Sequence, residues 1–302
     1  MALEIQSEAA EAGLRLDHLL SARLTDYSRA RLQGWIEAGR VSVDGVAVTK
    51  PSLKLKGGEH ISVEPLDLKP LHAFAEEIPI EILYEDAAVI AINKPAGLVV
   101  HAGAGRSSGT LVNALLHHFG GLSQVGGDLR PGIVHRLDKG TSGVLLVARN
   151  DAAHRNLAEQ FSSRRVEKTY LALVHGTPKD DRGTIDLPIA RDPVHRTRMT
   201  ARLATGRMAH TEYQVIERCG KFTLLEVRIG TGRTHQIRVH LAHLHHPVAG
   251  DALYGAAAQP DLGRPWLHAL RIRFDSPLTG ERLTVEAPVP SELLAWKARL
   301  TG

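Results

Sequence analysis

Leucines recur at positions 16, 19, 20 and 24 after Arg15, a helical spacing that puts one apolar stripe on a short helix. Ser28 is the expected cap of a second helix carrying Leu32, Trp35 and Ile36 on one face, and Gly39 stops it. Val41–Val43 and Val46–Val48 flank Asp44-Gly45, the favoured two-residue hairpin turn, and Ile61-Ser-Val63 supplies a last strand. Pro65 to Pro70 then reads as a linker. The pattern predicts a small α/β domain over residues 1–66, a linker over 67–77 and a large domain over 78–302, with no internal repeat.

Short strand-like runs dominate the large domain. Ile78, Ile80 and Ile82 alternate, and Val89–Ile92, Lys168–Val174, Phe222–Ile229 and Leu267–Ile272 follow. Helical runs interrupt them at 111–119, 151–161 and 234–244. Strands and helices do not alternate regularly, and no glycine-rich phosphate fingerprint is present. An α+β fold with a mixed, mostly antiparallel sheet is expected rather than a doubly wound one.

The chain of 302 residues suits one large domain and one small one. No run approaches the roughly 18 apolar residues of a membrane span. The N-terminal Met1-Ala-Leu-Glu-Ile-Gln-Ser-Glu lacks a charged-then-apolar signal pattern. A single cysteine, Cys219, excludes an intramolecular disulfide framework, so a cytoplasmic monomer is the expectation. Net charge is only +4, but it is uneven. Residues 23–56 hold seven bases against three acids, and residues 191–207 hold five arginines against Asp192. Two such clusters suggest a polyanion crossing two surfaces, because arginine forks fit phosphates bidentately.

The most informative string is Gly132-Ile-Val-His-Arg-Leu-Asp-Lys-Gly-Thr-Ser-Gly143. It puts one carboxylate, Asp138, between Arg136 and a small-residue turn, followed by the apolar run Val144–Val147. This predicts strand, sharp turn and strand, with the acid presented at the bend. An isolated Asp beside Gly usually only caps a turn. Here the whole string resembles the signature of the RluA family of pseudouridine synthases. Asn93–His101, Glu167-Lys-Thr-Tyr170, Gly232–His240 and Leu267-His-Ala-Leu270 resemble further family segments, in the same order. Residues 14–64 resemble the S4 RNA-binding domain, carried by Arg15-Leu-Asp-His-Leu-Leu20 and Gly39-Arg-Val-Ser-Val-Asp-Gly45. The pair of domains is closest to the RluD-type members.

The resemblance implies conversion of uridine to pseudouridine in RNA, most naturally ribosomal RNA. That reaction breaks a C–N glycosidic bond, turns the uracil and rejoins it through carbon, with no redox cofactor or metal required. Asp138 would be the nucleophile or the stabiliser of a cationic sugar. The resemblance gives it Arg233 as charge partner, since a neighbouring cation favours the ionised form. Tyr170 would stack on the uracil and could relay a proton. Arg136 would fill the space left by a flipped uridine. Lys94, His101 and Lys168, inside the matching segments, are further substrate-binding candidates. Arg29, Arg31 and Arg40 in the small domain, with Arg196 and Arg198 in the second basic cluster, are the RNA-contact candidates.

Each assignment has a plainer counterpart. Arg136 and Asp138 could form a surface ion pair of little energetic value. Tyr170 could be a core tyrosine, and Arg233, just ahead of a Thr234 helix cap, could face solvent. His240, His243, His245 and His246 suggest a metal cluster, but solvent-facing or RNA-facing imidazoles suit a helix end better than zinc. Three classes of function compete: an RNA-modifying enzyme acting on rRNA or tRNA, a non-catalytic RNA-binding or ribosome-assembly protein, and a carboxylate glycosidase. The last normally needs a second catalytic carboxylate, and none stands near Asp138 in sequence.

Overall fold

The computed structural model describes residues 2–25, 27, 29–65, 73–101, 108–127, 129–255 and 262–300. The chain divides into two compact units, Met1–Pro70 and Leu71–Gly302. The expected Ser28 cap and most of the expected linker lie outside the described residues.

The first unit holds strand β1 (Leu3–Gln6), helices α1 (Leu16–Arg23) and α2 (Arg29–Glu37), and strands β2 (Val41–Val43), β3 (Val46–Val48) and β4 (His60–Val63). The antiparallel sheet runs β1-β4-β2-β3. The leucine stripe behaves as its spacing demands: Leu16, Leu19, Leu20, Leu32, Trp35 and Ile36 are fully buried against Val41, Ile61 and Val63. Asp44 and Gly45 both take positive φ, 48° and 78°, which matches the turn to the twist of the flanking strands. Asp17, in the first turn of α1, has no exposed side-chain surface. Arg15, Arg29 and Gln33 all donate to it, Arg29 at 2.7 Å.

The second unit is built on a ten-stranded sheet. Its elements are β5 (Glu81–Glu85), β6 (Val89–Lys94), α3 (Leu111–His118), β7 (Ser142–Ala148), α4 (Asp151–Ser162), β8 (Glu167–His175), β9 (Arg182–Arg191), β10 (Met199–Thr200), β11 (Arg207–Cys219), β12 (Phe222–Ile229), α5 (Gln236–His243), β13 (Leu267–Asp275), β14 (Arg282–Glu286) and α6 (Ser291–Ala298). The order is β10-β9-β11-β12-β8-β13-β7-β6-β5, with β14 on the rest of the β13 edge. All pairs are antiparallel except β7–β13. The expected mixed α+β sheet is therefore present.

Both faces of the central strands are covered, which explains unbroken apolar runs such as Val144–Val147. Ile90, Ile92, Leu145 and Val147 pack with Leu111 and Leu115 of α3 and Ile237 and Leu241 of α5. Their alternates Val89, Ala91, Val144 and Leu146 pack with Ala153 and Leu157 of α4.

One local expectation fails. Residues 132–137 form no strand: Ile133 makes a single bridge to Val147, on the edge of β7 opposite β6. Asp138 instead sits in an irregular run leading into β7, where its carbonyl accepts from Thr141 N–H at 3.1 Å. The turn is packed tightly. Gly143 has φ +115°, and a Cβ there would lie 2.1 Å from the Ala269 carbonyl oxygen. Only glycine lets β7 approach β13 so closely. Arg264 bonds the Gly140 carbonyl and Ser142 Oγ, and the fully buried His268 meets the same hydroxyl at 2.9 Å.

Candidate active site

Asp138 lines a cleft at the end of the central strands, together with Arg136, Tyr170, Arg233, His235 and Arg238. The cleft encloses about 510 Å³, open solvent included.

The charge partner of Asp138 is Arg238, not Arg233. Arg238 Nη1 donates to Asp138 Oδ2 at 3.1 Å. Its Nε and Nη2 fork onto Asp251, at 2.6 and 2.9 Å. Asp251 is almost fully buried, so the guanidinium is held in one orientation between two carboxylates. Burial works against its charge, but the bonds and charges of Asp251 and Asp138 outweigh that and hold its pKa above the ordinary arginine value. Arg233 makes no ion pair with Asp138 among the described residues; its Nε donates instead to the Met208 carbonyl at 3.3 Å. It does line the cleft, and burial, then the charges of Arg207 and Arg164, lower its pKa.

The turn into α5 is not capped by Thr234. His235 takes the cap position with φ 57°, and the Gln236 side chain knits the turn together. Gln236 Oε1 accepts from Arg233 N–H and Thr231 Oγ1, while Nε2 donates to the His210 carbonyl and Thr211 Oγ1. Burial lowers the pKa of His235 against the pull of Asp138, which favours a neutral ring. Its Nδ1 meets the Tyr254 hydroxyl at 2.7 Å, and that oxygen accepts from Met199 N–H. Tyr254 O–H donating to Nδ1 leaves the imidazole proton on Nε2, 4.0 Å from Asp138. The Arg238 and Arg198 guanidinia lie 5.1 and 5.6 Å from the Tyr254 ring centroid.

Tyr170 is both core and cleft wall. It is 7% exposed on β8, between Val227 of β12 and Ala269 of β13. Burial, then the charge of Asp138, raise its hydroxyl pKa, so it stays protonated and offers a flat ring and an O–H rather than a phenolate.

The other candidates disperse. Lys94 is fully buried, with Nζ donated to the carbonyls of Pro95 and Leu98, so it pins that turn instead of facing a substrate. Burial, eased by the Asp138 charge, pushes its pKa down to about 7. Lys168 stands beside the cleft, in a neighbouring groove. His101 Nε2 is 3.4 Å from exposed Arg136 Nη1. In the small unit Arg29 holds Asp17, Arg31 lies over the Tyr27 and Trp35 rings, and Arg40 pairs with Glu64. Arg196 is exposed, and Arg198 reaches the site through Tyr254. His240 is not at the surface as expected: it is fully buried, bonded to Thr211 Oγ1 and the Leu187 carbonyl. Among the described residues no group of three or more His, Cys, Asp or Glu side chains could hold a metal ion.

The profile of the RNA pseudouridylate synthase family matches residues 88–243, which span Asp138, Tyr170 and Arg238. The chain belongs to the RNA pseudouridylate synthase family. An S4 domain profile matches residues 14–61, so this synthase carries an RNA-binding domain ahead of its catalytic unit. It is 51% identical to an uncharacterized RNA pseudouridine synthase of Aquifex aeolicus over 84% of this chain and 80% of that one. It is 48% identical to ribosomal large subunit pseudouridine synthase D of Nitrosomonas europaea, over 94% and 83%. The solved human RNA pseudouridylate synthase domain containing 1 aligns with 71% of this chain and 85% of its own, at 30% identity and a TM-score of 0.57. Among the described residues of this synthase no helix is long and apolar enough to cross a membrane.

Arg238, His235, Gln236, Asp251 and Tyr254 were not assigned from sequence. A signal existed for Asp251. An acid ending the apolar run Pro247-Val-Ala-Gly250 is poised for burial and then needs a cation.

Proposed function

We propose that this synthase isomerises specific uridines in large-subunit ribosomal RNA, as a cytoplasmic monomer, with Asp138 as the nucleophile. The observation that carries this is the Asp138–Arg238 pair at 3.1 Å, on the wall of a cleft shared with Tyr170. A carboxylate there, with a side chain 20% exposed and a fixed cation beside it, is reachable by a substrate in the cleft. The Tyr170 ring offers a stacking face for a flipped uracil, and its retained O–H can pass a proton. Arg136, exposed at the rim, would fill the gap left in the RNA. Arg233 would meet phosphate rather than the nucleophile. The ribosomal target rests on relatives named for the large subunit, such as that of Nitrosomonas europaea. The S4 domain supplies a second RNA-holding surface, with Arg31 and Arg40 as contacts.

Pseudouridine mapping of total RNA from cells lacking the protein, restored with wild type or Asp138→Asn, tests this reading. Sites in large-subunit rRNA should disappear and return only with wild type. Loss of the nucleophile should cost several kcal/mol of barrier, a rate fall of a thousandfold or more. Sites lost from tRNA alone, or restored by Asp138→Asn, would refute it.

A further inference from the structure

A second groove runs beside the cleft, and Ile229 walls both. Arg164 and Lys168 line it, with Gly230 next to Ile229 on its floor. Its carboxylates already have partners. Glu167 takes Arg282 at 2.7 Å and Arg273 at 3.3 Å, and Glu212 takes His210 at 3.0 Å. Arg228, the other arginine here, is paired with Glu226 at 2.8 Å. Arg164 and Lys168 have no carboxylate partner among the described residues. Lys168 Nζ lies instead 5.7 Å from the Phe161 ring centroid.

Arg233 lines the adjoining cleft, tied through Met208 to the start of β11. There Arg207, exposed and without a carboxylate partner among the described residues, adds a third guanidinium. The three are close enough for Arg207 and Arg164 to oppose the charge on Arg233, and Arg233 in turn opposes that on Lys168. Four cations gathered without carboxylate partners of their own among the described residues repel one another, a standing cost that a bound polyanion would relieve.

We propose that Arg164, Lys168, Arg207 and Arg233 form a phosphodiester-binding subsite that grips the RNA backbone next to the nucleotide in the cleft. The proposal rests on the RNA-modifying reading above and deepens it. The guanidinia supply forked donors that match phosphate oxygens, and Lys168 adds a point charge at the inner end. Grip at this place would fix the register of the strand, so that the neighbouring uridine is the one presented to Asp138.

The test uses the full chain with Arg164→Gln, Arg207→Gln and the double variant, plus Arg218→Gln as a control. Arg218 lies eleven residues along β11 from Arg207, roughly 35 Å away at strand rise. Filter binding to large-subunit rRNA across a salt series is measured beside steady-state pseudouridine formation. Each groove variant should weaken binding roughly tenfold, the size of a charge-assisted contact. The salt slope should fall by about 0.7–0.9 for each phosphate released, and the loss should appear in KM. Arg218→Gln should keep the wild-type slope. Melting temperatures should match wild type, because neither exposed arginine has a carboxylate partner among the described residues to abandon. A double variant with the wild-type slope and KM would overturn the subsite, as would a fall in kcat with KM unchanged. If wild type binds rRNA but forms no pseudouridine in it, the target assignment fails, and the salt slopes still judge the groove.

Discussion

Arg238 reaches Asp138 with Nη1 alone, at 3.1 Å, and gives the rest of its fork to Asp251. The cation beside Asp138 is thus aimed by a carboxylate that does not line the cleft. Asp251→Asn should leave Arg238 loosely held and half-paired in a buried site. We expect a stability loss of about 3 kcal/mol, the scale of a broken buried pair, together with a fall in kcat at near-constant RNA affinity. Arg238→Lys should recover little, because an ammonium cannot serve two carboxylates in a fixed plane. Urea denaturation and single-turnover kinetics measure both, and wild-type kcat in Asp251→Asn would contradict the aiming role.

Lys94 makes stability depend on pH. Its pKa falls from 10.5 to about 7 on folding, through burial. Between those values the unfolded chain binds more protons than the folded one, so this group's contribution rises with pH. Lys94→Met keeps the bulk and removes the proton. The stability difference between the two proteins should therefore shift in favour of wild type from near neutral pH to about pH 10, read from urea midpoints. A constant difference would rule out the buried charge.

Gly143→Ala should destabilise the catalytic unit strongly. A left-handed backbone alone costs an alanine about 1–3 kcal/mol, and here the new Cβ would overlap the Ala269 carbonyl. Gly121→Ala, with nothing within 4 Å of its Cβ and an ordinary φ, should change stability by less than about 0.5 kcal/mol. Thermal melts of the two variants separate a packing requirement from a general cost of losing glycine.

Asp17 should set the acid tolerance of the S4 domain. Burial opposes its charge, but hydrogen bonds from Arg15, Arg29 and Gln33 prevail and hold its pKa below the usual carboxylate range. Its stabilisation is complete above the ordinary value of 3.8 and drains away as pH falls below it. Asp17→Asn should be weaker at neutral pH and show a smaller further loss on acidification. The Trp35 indole resonance, followed through acid titration of the full chain, reports this domain; equal acid sensitivity in both proteins would dismiss the idea.

What could be read from sequence follows from how far each signal travels along the chain. Helix stripes such as Leu16–Leu20 and buried runs such as Val144–Val147 are local and were legible. The family motif around Asp138 was legible too, because it is contiguous. β9 and β11 went unread because they mix apolar with polar positions and carry Pro188 and Gly183, although Ala209, Thr211, Tyr213 and Val215 keep the strand period. The choice between Arg233 and Arg238 could not be read from spacing. Both sit in one motif, and only the twist of the turn built by His235 and Gln236 decides which guanidinium faces the acid. Asp251 needs the whole fold to meet its partner.

The parallel seam between β7 and β13 also sets a timetable. Ser142 and His268 are 126 residues apart, and Asp138 and Arg238 are 100 apart. During synthesis the chain leaves the ribosome from its N-terminus, at roughly 5–20 residues per second. The S4 domain can collapse on its own local contacts while Asp138 still lacks its cation. The turn that bears Asp138 is braced only once the segment around residues 264–269 has emerged. A nascent chain can therefore hold RNA before it can modify it, and catalytic competence arrives as one of the last events of its maturation.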